Sequence, residues 1–177
     1  MSSHLIARPG PGEFAPHYAP YISKVPDGDL LDLLERQWEE LGCLLEELDD
    51  DTADYRYAEG KWSVKELLGH LVDAERIFAY RLLCIARGEQ ASLPGFDENA
   101  YVANGGFAAR PLEALLEEYD LVRGSTLALL RGLDESCFDR RGTSNSNPVT
   151  VRALAWILAG HELHHMGILR ERYLPSF

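Results

Sequence analysis

Four stretches of this chain place apolar residues at the helical period, and no segment between them alternates like a half-buried strand. The first begins near Asp27 or Asp29, either of which can cap it, and runs to about Leu48 through Leu30, Leu34, Trp38, Leu41 and Leu45. The second has the clearest start. Ser63-Val64-Lys65-Glu66 is a capping box, followed by Leu67, Leu71, Phe78, Leu82 and Ile85, and Gly88 stops it. Pro111 suits the first position of a third helix, which uses Leu112, Leu115, Tyr119 and Val122 and ends near Gly132. A fourth starts close to Pro148-Val149-Thr150 and reaches about Tyr173, before Pro175. Strand signals are absent. Four amphipathic helices of roughly 20–25 residues predict an all-α four-helix bundle.

The connections add a topological expectation. A helix of about 25 residues spans about 37 Å at 1.5 Å per residue, and roughly twenty extended residues at about 3.3 Å each can cover that length. Residues 89–110, rich in Gly, Pro and Asn, therefore allow a return along the bundle that leaves the second and third helices parallel. Upstream, Pro9, Pro11, Pro16, Pro20 and Pro26 alternate with aromatics. Residues 1–26 read as an extended Pro-rich arm lying against a bundle domain of residues 27–177.

With 177 residues, 46% of them hydrophobic, the chain can bury a core without staples. A net charge of −12 argues against a nucleic-acid or anionic-membrane surface, since both need a cationic footprint. Cys43, Cys84 and Cys137 are far apart and odd in number, so each reads as a small buried hydrophobe in a reducing compartment. The N-terminus lacks a secretory pattern, and no apolar run of about 18 residues offers a membrane span. A cytoplasmic protein without membrane or nucleic-acid partners is the expectation.

The chemistry concentrates in His161-Glu162-Leu163-His164-His165. At about 100° per residue, His161 and His165 share a face with Leu154, Ile157, Leu158 and Ile168. A buried imidazole carries a donor and an acceptor that both need partners, and two at i, i+4 can share a divalent cation. Alternatively, carboxylates, carbonyls or water satisfy them. His70, two turns into the second helix at the border of its apolar face, can meet them in the bundle interior and complete a three-histidine set. Three neutral imidazoles suit one divalent transition metal (zinc, nickel, copper, iron or manganese). Three protein ligands leave a position open, as catalytic sites do, where a bound water or thiol would be activated. No side chain is assigned a catalytic role.

Other polar residues are pocket candidates. Glu75 reads as a buried ion-pair partner, a group at a subunit contact or a catalytic base, and Glu66 as a cap that can also orient His70. Glu162 and His164 read as groups beside the ligands or at the surface. Asp97, in Asp97-Glu98-Asn99-Ala100-Tyr101, either roofs the pocket or belongs to an ordinary polar turn. Tyr80 and Arg81 receive no role.

The segments Gly60-Lys61-Trp62-Ser63-Val64-Lys65-Glu66-Leu67-Leu68-Gly69-His70-Leu71, Pro94-Gly95-Phe96-Asp97-Glu98 and Gly160-His161-Glu162-Leu163-His164-His165 together resemble the DinB-like family of metalloenzymes. The resemblance spans about residues 25–174. It implies an up-down-down-up bundle, a divalent metal on His70, His161 and His165, a small-molecule substrate and a homodimer. It also implies one of several activities, among them transfer of a low-molecular-weight thiol and thiol-dependent isomerisation. A metal-dependent hydrolase, or a non-catalytic bundle that binds a metal or ligand, are the alternatives.

Overall fold

The prolines of the N-terminal arm do not keep it extended throughout. In the computed structural model of the protein, which describes residues 5–174, Pro16 opens a 3-10 turn, Pro16–Tyr18. Pro20 sits in the first turn of a short helix, α1 (Ala19–Ile22). Both occupy positions where a backbone N–H has no intrahelical partner anyway, so proline is tolerated. The arm does lie against the domain: Ile6, Ile22 and Val25 join the core. Residues 1–4 and Pro175 lie outside the described residues.

Asp29 caps α2 (Leu30–Leu45), accepting from the backbone N–H groups of Leu31 and Asp32. The helix ends three residues before the expected Leu48. Asp49 then caps a separate short helix, α3 (Asp50–Ala53), by accepting from Thr52 N at 2.8 Å. The capping box is realised at the start of α4 (Val64–Ala86), where Glu66 N donates to Ser63 Oγ at 3.2 Å and Ser63 N to Glu66 Oε2 at 2.8 Å. The long connection contains a helix of its own, α5 (Glu98–Gly105). Next comes α6 (Leu112–Arg131).

The expectation of no strands is overturned. β1 (Arg141–Ser144) and β2 (Asn147–Thr150) form an antiparallel hairpin, with Thr143 opposite Pro148 and Ser144 opposite Asn147. Asn145 and Ser146 turn it with φ of 50° and 61°, the left-handed pair that a tight hairpin requires. Arg-Gly-Thr-Ser and Asn-Pro-Val-Thr carry no apolar alternation, and Pro148 speaks against a strand, so neither segment leaves a strand signal. The last long helix, α7 (Val151–Ile168), therefore begins at Val151 rather than Pro148, with Thr150 Oγ1 accepting from Ala153 N. It continues as a π-helical stretch, Leu169–Tyr173.

Pairings fix the directions of the four long helices. Between α4 and α6, Glu75 meets Arg123 and Gly69 abuts Phe107 just before α6, so these two run parallel. Trp38 Nε1 donates to Asp120, and Glu35 pairs with Arg131, so α2 and α6 are antiparallel. Gln37 reaches Ala159 and Glu40 pairs with Arg170, which sets α7 parallel to α2. The bundle is up-down-down-up. Two apolar clusters fill it. One centres on Leu30, Leu34, Phe78, Leu82, Leu154 and Ile157, and the other on Leu41, Leu67, Leu68, Leu115, Met166 and Leu169. Where one gives way to the other, the interior becomes polar.

The cysteines depart from expectation. Cys137 is buried, Cys84 half-buried and Cys43 exposed, because Cys43 falls outside the inward stripe of Leu34, Leu41 and Leu45 on α2. No helix among the described residues is long and apolar enough to cross a membrane.

Candidate metal centre

The capping box fixes where α4 starts, and therefore which face His70 presents two turns later. Facing it across the bundle, α7 brings His161 and His165 one turn apart. His70 Nε2 lies 3.1 Å from His161 Nε2, and His165 Nε2 lies 3.2 Å from the same atom. One nitrogen from each ring falls within 4.8 Å of the other two. All three residues are buried.

Electrostatics keep these rings neutral. Burial lowers the pKa of His70 to about 4. Burial, with the neighbouring His70 and His164, lowers that of His165 to about 3. His161 is driven well below its ordinary value by burial and by the surrounding histidines. A neutral ring nitrogen carries at most one proton, so His161 Nε2 cannot donate to both neighbours. Whichever nitrogens carry the protons, one of the two contacts is left either as opposed lone pairs or as two N–H groups contending for a single lone pair, in a buried setting. His165 Nδ1 is also buried without a hydrogen-bond partner. This donor set fits a single transition-metal cation, which would draw all three lone pairs.

The histidines open onto a cavity of ≈ 390 Å³. Trp62 packs beside His70 with ring centroids 4.7 Å apart. Tyr21 packs edge-on to His161 at 5.5 Å and to His164 at 5.3 Å. Tyr21 can stand there because residue 160 is glycine: a Cβ at Gly160 would lie 2.2 Å from the Tyr21 carbonyl oxygen. The arm thus supplies one wall. The opposite wall comes from the long connection. Leu93 N donates to Thr143 O and Asn145 N to Leu93 O, tying the connection to the hairpin and bringing Gly95, Phe96 and Asn145 to the cavity.

The remaining candidates separate cleanly. His164 lines the cavity, with its pKa lowered by burial and by Lys24. Glu66 does not orient His70, because its carboxylate is taken by Ser63 N and by Arg56, at 2.7 Å from Nη2. Asp97 does not line the cavity. It caps α5 by accepting from Asn99 N and Ala100 N, and the next residue, Glu98, reaches the cavity instead. Glu75 is buried with a partner, accepting from Arg123 Nε at 2.9 Å and Nη2 at 2.7 Å. Glu162 is not a surface group. It is 2% exposed, accepts from Arg123 at 2.5 Å, and is also hydrogen-bonded by the Tyr119 hydroxyl. Burial raises its pKa against the pull of Arg123.

Sequence reasoning missed Arg123, Arg81 and the arm tyrosines. Arg123 had a signal: it lies four residues after Tyr119 and four before Leu127, on the inward stripe of α6. Tyr18 and Tyr21 had none, because nothing local says where an arm docks.

The profile of the DinB superfamily matches residues 33–169. A protein of Oceanobacillus iheyensis, provisionally named a metal-dependent hydrolase, is 23% identical over 138 residues, covering 77% of this chain and 79% of that protein. YfiT from Bacillus subtilis, described as a probable metal-dependent hydrolase with an unusual four-helix bundle topology, superposes with a TM-score of 0.74 at 21% identity, covering 83% of this chain and 85% of YfiT. A mycothiol-dependent maleylpyruvate isomerase superposes with a TM-score of 0.66 at 15% identity, covering 82% of this chain and 61% of that one. At such identities the structural likeness is one of fold.

Proposed function

This chain belongs to the DinB superfamily, and on that premise we propose that it is a metal-dependent enzyme acting on a small molecule, with His70, His161 and His165 holding one divalent transition metal. The observation that supports this most is the convergence of three neutral ring nitrogens that no arrangement of protons satisfies. Three protein donors are the set used by open, catalytic sites, whereas structural sites use four. When bound, the metal supplies Lewis acidity toward a substrate carbonyl or a thiol.

The chain's own residues prepare the rest. Tyr18, Tyr21, Trp62 and Phe78 give the cavity an aromatic lining that packs an apolar substrate body and keeps water out. Burial raises the pKa of Tyr18 and of Tyr21, so at neutral pH both hydroxyls hold their protons and serve as donors, not bases. The reaction class we favour is transfer dependent on a low-molecular-weight thiol, supported by the fold shared with a mycothiol-dependent isomerase. Hydrolysis is the second reading, supported by the name of the Oceanobacillus relative. A homodimer and a cytoplasmic site of action belong to the same proposal. The latter draws on three cysteines without a disulfide.

Elemental analysis of protein purified without a polyhistidine tag tests the first step. About one equivalent of a transition metal is expected, and its absence removes the metal reading. Assays with a haloarene or epoxide, with and without added thiol, then separate the two reactions. A metal-dependent rate indifferent to thiol favours hydrolysis. Sedimentation measures the oligomer.

A further inference from the structure

Arg81 is a buried charge in the cavity for which neither the fold nor the proposed metal supplies a counter-charge. It stands on α4, lines the cavity and is only 2% exposed. Its Nη2 donates to Pro94 O at 2.6 Å. Its Nε is buried with no partner. The neighbours around it are neutral. The guanidinium carbon lies 5.9 Å from the Phe78 ring and 5.7 Å from the Phe96 ring, and the Tyr18 hydroxyl is close by. Among the described residues Arg81 makes no ion pair, in a chain with 29 acidic and 17 basic residues. Buried Arg123, by contrast, has two carboxylates, and half-buried Arg152 has Glu13 and Asp139. Glu98, the one carboxylate among the lining residues, is exposed.

A buried guanidinium without a counter-charge is unfavourable unless something supplies one. Burial accordingly draws its pKa down. The position is suited to ligand binding. The Phe78 ring touches both ends of the cavity, since it also packs 5.7 Å from the His161 ring. One aromatic ring therefore separates the guanidinium from the histidines.

We propose that the substrate of this cavity is a small molecule bearing an anionic oxo group, carboxylate or phosphate, and that Arg81 receives that group while the reacting end faces the histidines. The planar fork of arginine matches two oxygens of either group. This deepens the reading given above and rests on it only in placing the substrate in this cavity.

The test titrates benzoate, phenyl phosphate and benzamide into wild-type protein and Arg81→Met by calorimetry, each with the purified metal content and again after chelation. Wild type should bind one or both anions more tightly than benzamide by roughly 10- to 100-fold, as a charge-assisted pair predicts. The two anions tell carboxylate from phosphate. Arg81→Met should abolish that preference with and without metal, and Arg81→Lys, which keeps the charge and loses the fork, should reduce it by a smaller factor. Chelated wild type that binds the anions no better than benzamide overturns the proposal, whether or not either variant folds. So does a preference that survives in Arg81→Met, or one that vanishes on chelation and not on substitution, since the metal would then be the receptor. Protein that purifies without metal but shows Arg81-dependent anion binding supports this inference and removes the metal reading alone.

Discussion

Glu162 Oε2 lies 2.5 Å from Arg123 Nη2 in the dry interior, one residue along α7 from His161. Arg123 also holds Glu75 on α4 and the carbonyl of Leu34 on α2, with Nη1 2.8 Å from that oxygen. One guanidinium thus touches the other three long helices. That fixes the rotation of α7 against α4, and with it the meeting of His161 and His70. The two carboxylates hold Arg123 charged although burial opposes it.

Removing one member of this network should be severe. Arg123→Met leaves two buried carboxylates uncompensated, and loss of one partner of a buried pair costs about 3–5 kcal/mol. Urea denaturation of Arg123→Met should show a fall of this size, with Glu162→Gln showing a smaller one because its Tyr119 bond can persist. A loss under about 1 kcal/mol would mean that the network is not what holds the helices in register.

Substitution at the histidines should separate metal from fold. His161→Ala removes the nitrogen that both other rings approach, so bound metal should fall to background by elemental analysis. The metal-free protein should change by about 1 kcal/mol or less, because a dry, poorly satisfied polar cluster contributes little to stability. If His161→Ala retains full metal content, the assigned ligand set is wrong. If it unfolds, the cluster is structural.

Gly160 is a test of how the arm docks. A methyl group there would meet the Tyr21 backbone at 2.2 Å, and backbone does not give way cheaply. Gly160→Ala should therefore cost about 1–3 kcal/mol and make residues around Tyr21 more sensitive to limited proteolysis. Gly42→Ala on α2, where no atom stands within 4 Å of the added carbon, is the control. It should stabilise by about 0.5–1 kcal/mol. Equal effects at the two positions would contradict the close approach.

Acid stability should report the tie between arm and hairpin. Glu13 accepts from Arg152, Thr150 Oγ1 and Gly10 N, and Arg152 above all holds its pKa at about 2, well below the ordinary carboxylate value. A carboxyl lowered in the folded state stabilises the fold above its unfolded pKa. That contribution, up to about 3 kcal/mol, is lost as pH falls from about 4.5 toward 2. Glu13→Gln should lower the melting temperature at pH 7 and narrow its gap to wild type as pH drops through this window. A gap that stays constant with pH would show that the Glu13 carboxyl has the same pKa folded and unfolded, so that Arg152 does not favour its ionised form.

The sequence alone decided the four long helices and singled out the three histidines, whereas the short helices α1, α3 and α5 were not legible in it. The long helices and the histidines follow from local rules: a 3.6-residue period, a capping box at Ser63 and Glu66, and the i, i+4 spacing of His161 and His165. The hairpin escaped those rules because its strands, Arg141–Ser144 and Asn147–Thr150, are largely polar, do not alternate and include Pro148. Tertiary structure alone decided what surrounds the histidines. Tyr21 reaches His161 because Gly160 yields space to a segment about 140 residues away in the chain, a relation with no local signature. Glu75 reads in the sequence as a buried acid without a named partner and Glu162 as a group beside the ligands or at the surface, and only packing reveals that Arg123 compensates both. Asp97 and Glu98 divide capping from cavity lining by a single residue of helix register, which only the docked position of α5 could settle.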